Sequence, residues 1–89
     1  MHYLLVRHRV ADFTEWHRVF QSHAEAQREA WLHLLHLLRD TTDPSLVVMV
    51  FRTDDPEAAR AFTGSPEARE SAQVSGVIGV PEISLLREG

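Results

Sequence analysis

Apolar and polar positions alternate along the first ten residues. His2, Leu4, Val6, His8 and Val10 share one face of an extended chain, and Tyr3, Leu5, Arg7 and Arg9 share the other. The pattern predicts a strand over Met1 to Val10 whose first, more apolar face meets helices. His8 then sits near the far end, where the chain turns. At Asp12 the period changes: Phe13, Trp16, Phe20 and Ala24 recur at helical spacing over Asp12 to Gln27, while Arg18, Gln21, Ser22 and Glu25 point elsewhere. Asp12 is a good N-cap, with Glu15 three residues on to complete an aspartate version of the capping box. His23 falls on the aromatic stripe beside Trp16 and Phe20, the most specific chemical feature of the chain.

Ala30 to Arg39, AWLHLLHLLR, has strong helix propensity and could prolong that helix. Its leucines would then coat a helix on every side, whereas a strand covered on both faces accommodates them, and the strand is preferred. Asp40 to Ser45 has turn composition, and Pro44 cannot join a ladder. Leu46 to Thr53, LVVMVFRT, is a strand by content and length. Two helix starts follow, Asp55-Pro56-Glu57 and Ser65-Pro66-Glu67. Each has a capping side chain, a proline at the first helical position and an acid in the positive first turn. Gly76 and Gly79 bracket the exit to a last strand over Val80 to Leu86, which Pro81 assigns to an edge or a strand end.

The order is strand, helix, strand, strand, helix in two pieces, strand. It predicts one α+β domain over residues 1–89. The arrangement is ferredoxin-like β-α-β-β-α-β, a four-stranded antiparallel sheet with helices on one face. The other sheet face carries Leu and Val as well, with no element left to cover it. A homodimer packed sheet on sheet into an α+β barrel is the expected assembly.

Composition narrows the chemistry. A chain of 89 residues, 44% hydrophobic and 25% charged, is one ordinary globular unit. The absence of cysteine removes disulfides, thiol nucleophiles and cysteine-based metal sites. All nine basic residues are arginines, so no side-chain amine is present to form a Schiff base. A net charge of −4 argues against a nucleic-acid partner, which needs a basic face. No apolar run approaches membrane-spanning length, so no membrane partner is expected and the cytoplasm is the default. Six histidines raise the question of a metal. On a regular strand His33 and His36 face opposite ways, and His2 and His8 lie too far apart, so no metal site is expected. No Ser-His-Asp spacing, phosphate loop or nucleotide fingerprint is present, and no cofactor is expected.

The residues Asp12-Phe13, Trp16-His17, Phe20, His23 and Arg28, then Arg39 and Asp43-Pro44, Val47-Val48-Met49-Val50-Phe51, Ala59-Arg60-Ala61-Phe62, Ser65-Pro66 and Gly76-Val77-Ile78-Gly79-Val80-Pro81 carry a resemblance. The chain resembles the dimeric α+β barrel superfamily and, within it, the small antibiotic-biosynthesis-monooxygenase-like proteins. The resemblance spans nearly the whole chain. It implies a pocket inside each subunit, between helices and sheet. It leaves activity open, because such relatives include cofactor-independent monooxygenases, polyketide cyclases, dehydratases, isomerases, decarboxylases, haem-degrading enzymes and stress proteins. Two positions depart from it: Gln21 stands where relatives often have an acid, and Ala30 where they often have a glycine.

In such a pocket His23 and His8 are the candidate catalytic residues. Trp16, Phe20, Phe13, Phe51 and Phe62 would wall an apolar cavity suited to a flat aromatic or polyketide-like ligand. A histidine shielded from water has a depressed pKa and stays neutral near pH 7, able to take a proton. Removing a proton alpha to a carbonyl, and returning it during cyclisation, dehydration or isomerisation, needs that base. A developing enolate also needs a donor, for which Arg52, Tyr3 or a second histidine is available. The leading expectation is therefore a cofactor-independent enzyme transferring protons on a polyketide-like or aromatic intermediate. The alternatives are a cofactor-independent monooxygenase of electron-rich aromatics and a non-catalytic ligand-binding or stress-associated dimer. In the last, His23 is a packed histidine bonded to a backbone carbonyl.

Overall fold

A computed structural model describing residues 1–89 runs β1 (His2–Val10), α1 (Phe13–Ser22), α2 (Ala24–Glu29), β2 (Leu32–Arg39), β3 (Leu46–Thr53), α3 (Pro56–Thr63), α4 (Pro66–Ser75) and β4 (Val77–Arg87). The strands form one antiparallel sheet in the order β2-β3-β1-β4. That is the ferredoxin-like arrangement, with the first and third strands, β1 and β3, central in the sheet and β2 and β4 at its edges. Residues 32–39 are a strand, not a prolongation of the helix.

The two-residue period sorts the faces as expected. Leu4, Val6, His8 and Val10 of β1 are buried beside Val47, Met49, Phe51 and Thr53 of β3, and α1 lays Trp16 and Val19 over the sheet while α3 adds Ala59. Caps fix where the helices begin. Asp12 accepts from the Thr14 and Glu15 amides at 3.0 and 3.3 Å, Asp55 from Ala58 and Ser65 from Ala68, both at 3.1 Å. The capping box stays half formed, because the Glu15 carboxylate pairs with Arg18 instead of reaching back to Asp12.

Three local features depart from the regular pattern. The helix expected over Asp12 to Gln27 is broken at His23, which caps α1 and opens α2. The last strand begins at Val77, three residues before its expected start, and carries Gly79 inside it at φ 75. There the ladder with β1 slips, Arg7 pairing with Glu82 but Arg9 with Ile78, so that His8 has no partner on β4. A second irregularity, between Leu34 and His36, sets His33 opposite Arg52 and His36 opposite Val50. Arg52 and Val50 share a sheet face, so this bulge turns His33 and His36 to the same side, contrary to the regular-strand expectation.

Only 14 of 89 residues are buried, which leaves a thin core. The sheet face away from the helices holds Tyr3, Leu5, Arg7 and Arg9 of β1 and Val48, Val50 and Arg52 of β3, with Leu38, Ile78 and Leu86 exposed on the flanking strands. No helix of the molecule is long and apolar enough to cross a membrane.

Two backbone positions occupy left-handed space where the chain reverses. Trp31, between α2 and β2, has φ 63, a conformation disfavoured for a bulky side chain. Gly76 ends α4 at φ 83, and its carbonyl accepts from the Ala11 amide at 2.9 Å. A methyl group there meets only Ala11 Cβ at 3.6 Å, an ordinary contact. The cost of Gly76→Ala is therefore that of the backbone, about 1–2 kcal/mol. Urea unfolding should show it as a lower midpoint at unchanged slope.

Candidate active site

The helices do not seal against the sheet. Between them lies a cavity of about 150 Å³, with 13 of its 21 lining residues hydrophobic. An apolar space of about 150 Å³ holds a single aromatic ring the size of benzene. Leu4, Val6 and His8 reach it from β1, Met49 and Phe51 from β3, and Pro81 and Ile83 from β4. Trp16 and Phe20 wall it from α1, and Phe62 from α3.

His8 is the unusual group in this wall. Its place on the inner face of β1 puts it beneath α1, where its ring meets Trp16 edge-on at 5.4 Å and 75°. The residue is 8% exposed, makes no side-chain hydrogen bond, and its Nε2 is buried without a partner. Burial pushes its pKa below the ordinary histidine value, because an imidazolium there would lose its water. The slip of β4 falls directly beside it, a position where bulges re-aim side chains and leave room. An uncharged, unbonded imidazole therefore sits in the wall of a ring-sized apolar cavity.

That environment has a consequence for stability. The unfolded chain holds His8 at its ordinary pKa and the folded chain lower, so between the two the unfolded state binds more protons. Stability is full above about pH 6.5 and falls as pH drops below it, with a slope of at most about 1.4 kcal/mol per pH unit from this residue. Urea melts of the protein and of His8→Leu between pH 7.5 and pH 5 should diverge in that direction.

His23 also reaches the cavity, but in another state. Its Nδ1 lies 2.9 Å from the Val19 carbonyl oxygen and 3.1 Å from Ser22 Oγ, whose own hydroxyl donates to the same carbonyl at 2.6 Å. A carbonyl only accepts, so Nδ1 carries the proton and neutral His23 keeps Nε2 as an acceptor. Its hydrogen bond to backbone closes the C-terminal turn of α1, where the residue is half-buried as the helix cap.

Of the other expected pocket residues, Trp16, Phe20, Phe51 and Phe62 line the cavity, and Phe13 and Arg52 do not. Phe13 stacks on His17 at 5.5 Å and 11° and tilts against Trp16 at 5.7 Å, with the Arg39 guanidinium 4.0 Å from its centroid. Arg52 alternates with Phe51 and so points to the open sheet face, its Nε buried without a partner. Tyr3 lies on that face too and donates to Glu88, which raises its pKa. Neither Arg52 nor Tyr3 can serve a developing enolate here. The polar groups that do line the space are Gln27, Thr63, Glu67, Ser71 and Ser75, all but one from the α3–α4 region. Ser75 is buried and spends its hydroxyl on the Ala72 carbonyl at 3.2 Å. No group of three or more His, Asp or Glu side chains is placed to hold a metal ion, and on the open face His33 pairs with Asp54 at 3.6 Å.

The molecule is thus an α+β sheet-and-helix domain with a ring-sized cavity between its layers. No family model matches the chain, and no curated protein matches it. Solved structures do. A candidate antibiotic biosynthesis monooxygenase from Bordetella bronchiseptica superposes with a TM-score of 0.78 at 13% identity, over 99% of this chain and 96% of its own. One from Caulobacter crescentus gives 0.72 at 18% identity, over 96% and 86%. An uncharacterised NIPSNAP domain protein from Burkholderia xenovorans gives 0.67 at 12% identity, over 100% and 95%. At these identities the likeness establishes the shared fold, that of the antibiotic-biosynthesis-monooxygenase-like proteins.

Proposed function

We propose that this protein is a cofactor-independent enzyme which binds one small aromatic ring carrying an acidic O–H or C–H and takes its proton on the His8 imidazole. The observation that carries this reading is the neutral, hydrogen-bond-free His8 in the wall of a 150 Å³ apolar cavity. In so apolar a space a neutral base keeps its lone pair, and a ligand hydroxyl or activated C–H supplies the partner the imidazole lacks. The volume favours a single ring, or one ring of a longer molecule, over an enclosed polycyclic ligand. His23, half-buried with Nδ1 tied to Val19 and Nε2 left as an acceptor, is assigned the orienting role.

Two reactions begin with this step. Returning the proton at another atom is an isomerisation. Reaction of the electron-rich anion with dioxygen is a monooxygenation, and the names of the solved structures of the same fold favour it. For a phenol it balances without an external reductant: phenol and O₂ give quinone and water, the ring supplying all four electrons. The proton first moves to His8, and one oxygen atom leaves as water. The assembly we propose is a homodimer through the open sheet face.

Incubation with a panel of electron-rich phenols and enolisable ring ketones in an oxygen electrode tests this, with parallel deuterium exchange followed by mass spectrometry. Oxygen uptake equal to quinone formed supports oxygenation, and exchange without uptake supports isomerisation. Ring binding with neither outcome would leave a binding protein and sink the enzymatic reading.

A further inference from the structure

The cavity has an electrostatic asymmetry. The chain contains no lysine, so its nine arginines are its only strongly basic side chains. None of the nine lines the cavity. One carboxylate does: Glu67, at the second position of α4, solvent-exposed and in none of the ion pairs of the molecule. The two histidines do not offset it. Neutral His8 is held against protonation by its apolar surroundings, and neutral His23 presents an acceptor nitrogen because its Nδ1 proton is committed to Val19. Gln27, Thr63, Ser71 and Ser75 complete the polar lining, and all are uncharged.

We infer that the cavity selects its ligand by charge, taking uncharged rings and rejecting carboxylated ones, and that Glu67 is the residue which sets this preference. The inference rests on the proposed ring-binding role of the cavity and names the substrate class within it. A ring carboxylate moved into this space would give up its hydration without meeting a cation, and would face the Glu67 carboxylate besides. A phenol or a ring amide meets neither penalty, since it carries no charge and its donors find Gln27 and the histidine acceptors.

The test is calorimetric titration with a size-matched pair, 4-hydroxybenzamide and 4-hydroxybenzoate, at pH 7.5. The amide should bind about 100-fold more tightly than the carboxylate, or better, as expected where a buried charge lacks a partner. In Glu67→Gln the gap should close by roughly tenfold, because the variant removes the one carboxylate that lines the cavity. Affinity for the amide should hold within about threefold. That change keeps the Ser65 cap and removes only the exposed first-turn charge of α4, a small loss, so the variant folds. Equal affinity for the two ligands overturns the inference while the ring-binding reading survives. A wild-type gap that Glu67→Gln leaves unchanged overturns the role of Glu67. Binding of neither ligand overturns the ring-binding reading and the inference with it.

Discussion

His8→Leu is expected to remove turnover while leaving the fold intact, or firmer than before. Loss of a general base typically lowers the rate about 10²- to 10⁴-fold. Leucine is close to histidine in volume and suits the apolar wall made by Trp16, Val6 and Leu4. It also removes a buried nitrogen that lacks a hydrogen-bond partner. An unsatisfied buried polar group costs about 1–3 kcal/mol, so the variant should be at least as stable as the parent above pH 7. Its stability should also lose the fall below pH 6.5. This pairing of lost activity with kept stability separates a base from a structural residue. His23→Leu is expected to do the reverse. It breaks the Nδ1 contact to Val19 at the end of α1, so stability falls while proton abstraction persists. Initial rates and urea midpoints on both variants check the pair.

Trp16→Ala is the change expected to cost the most stability. Trp16 is 3% exposed, at the centre of the layer between α1 and the sheet. It stacks on Phe20 at 5.0 Å and 18°, and it meets Phe13 at 5.7 Å and His8 at 5.4 Å. Truncating a buried Trp to Ala costs about 3–5 kcal/mol, a large share of the 5–15 kcal/mol typical of a whole domain. The loss is sharper here because the cavity already leaves this layer incompletely filled. Trp16→Phe keeps an aromatic ring on the same stripe and should recover more than half of it. Thermal unfolding of the three proteins at equal concentration provides the measurement.

Much of this was legible in the sequence, because it depends on residues within one element. The alternation in residues 2–10 assigned His8 to the inner face, and β-branched content marked β3. For Leu32 to Arg39, uniform apolarity correctly favoured a strand over a longer helix. What stayed hidden depends on pairing between elements. A slip in a ladder has no signature in a single strand. Neither the bulge that turns His33 and His36 to one side nor the one that frees His8 from β4 is therefore visible in the sequence. Periodicity likewise extended the aromatic stripe through His23, where the backbone bends and the side chain caps α1. Residue type alone points Arg52 and Phe13 to the pocket. Strand parity places Arg52 on the other face, and packing against Arg39 places Phe13 beyond the cavity. Glu67 and its neighbours on α4 carry no sequence signal for a cavity, because that helix has small and polar residues in place of an aromatic stripe. The exchange of emphasis between the two histidines has the same origin. Aromatic neighbours in sequence pointed to His23, but burial in three dimensions isolates His8.

The ionisation of a bound nitrophenol tests the proposed chemistry most directly, because the phenolate absorbs visible light and the phenol does not. An apolar cavity alone raises the pKa of a bound phenol by stripping water from the anion. A neutral imidazole in the wall opposes this by taking the proton. Visible absorbance of saturated complexes, titrated from pH 5 to pH 9, should show the ligand ionised at lower pH in the parent protein than in His8→Leu. The bound phenol in the variant should ionise above its value in water. Coincident titration curves for the two complexes would contradict His8 as the proton acceptor.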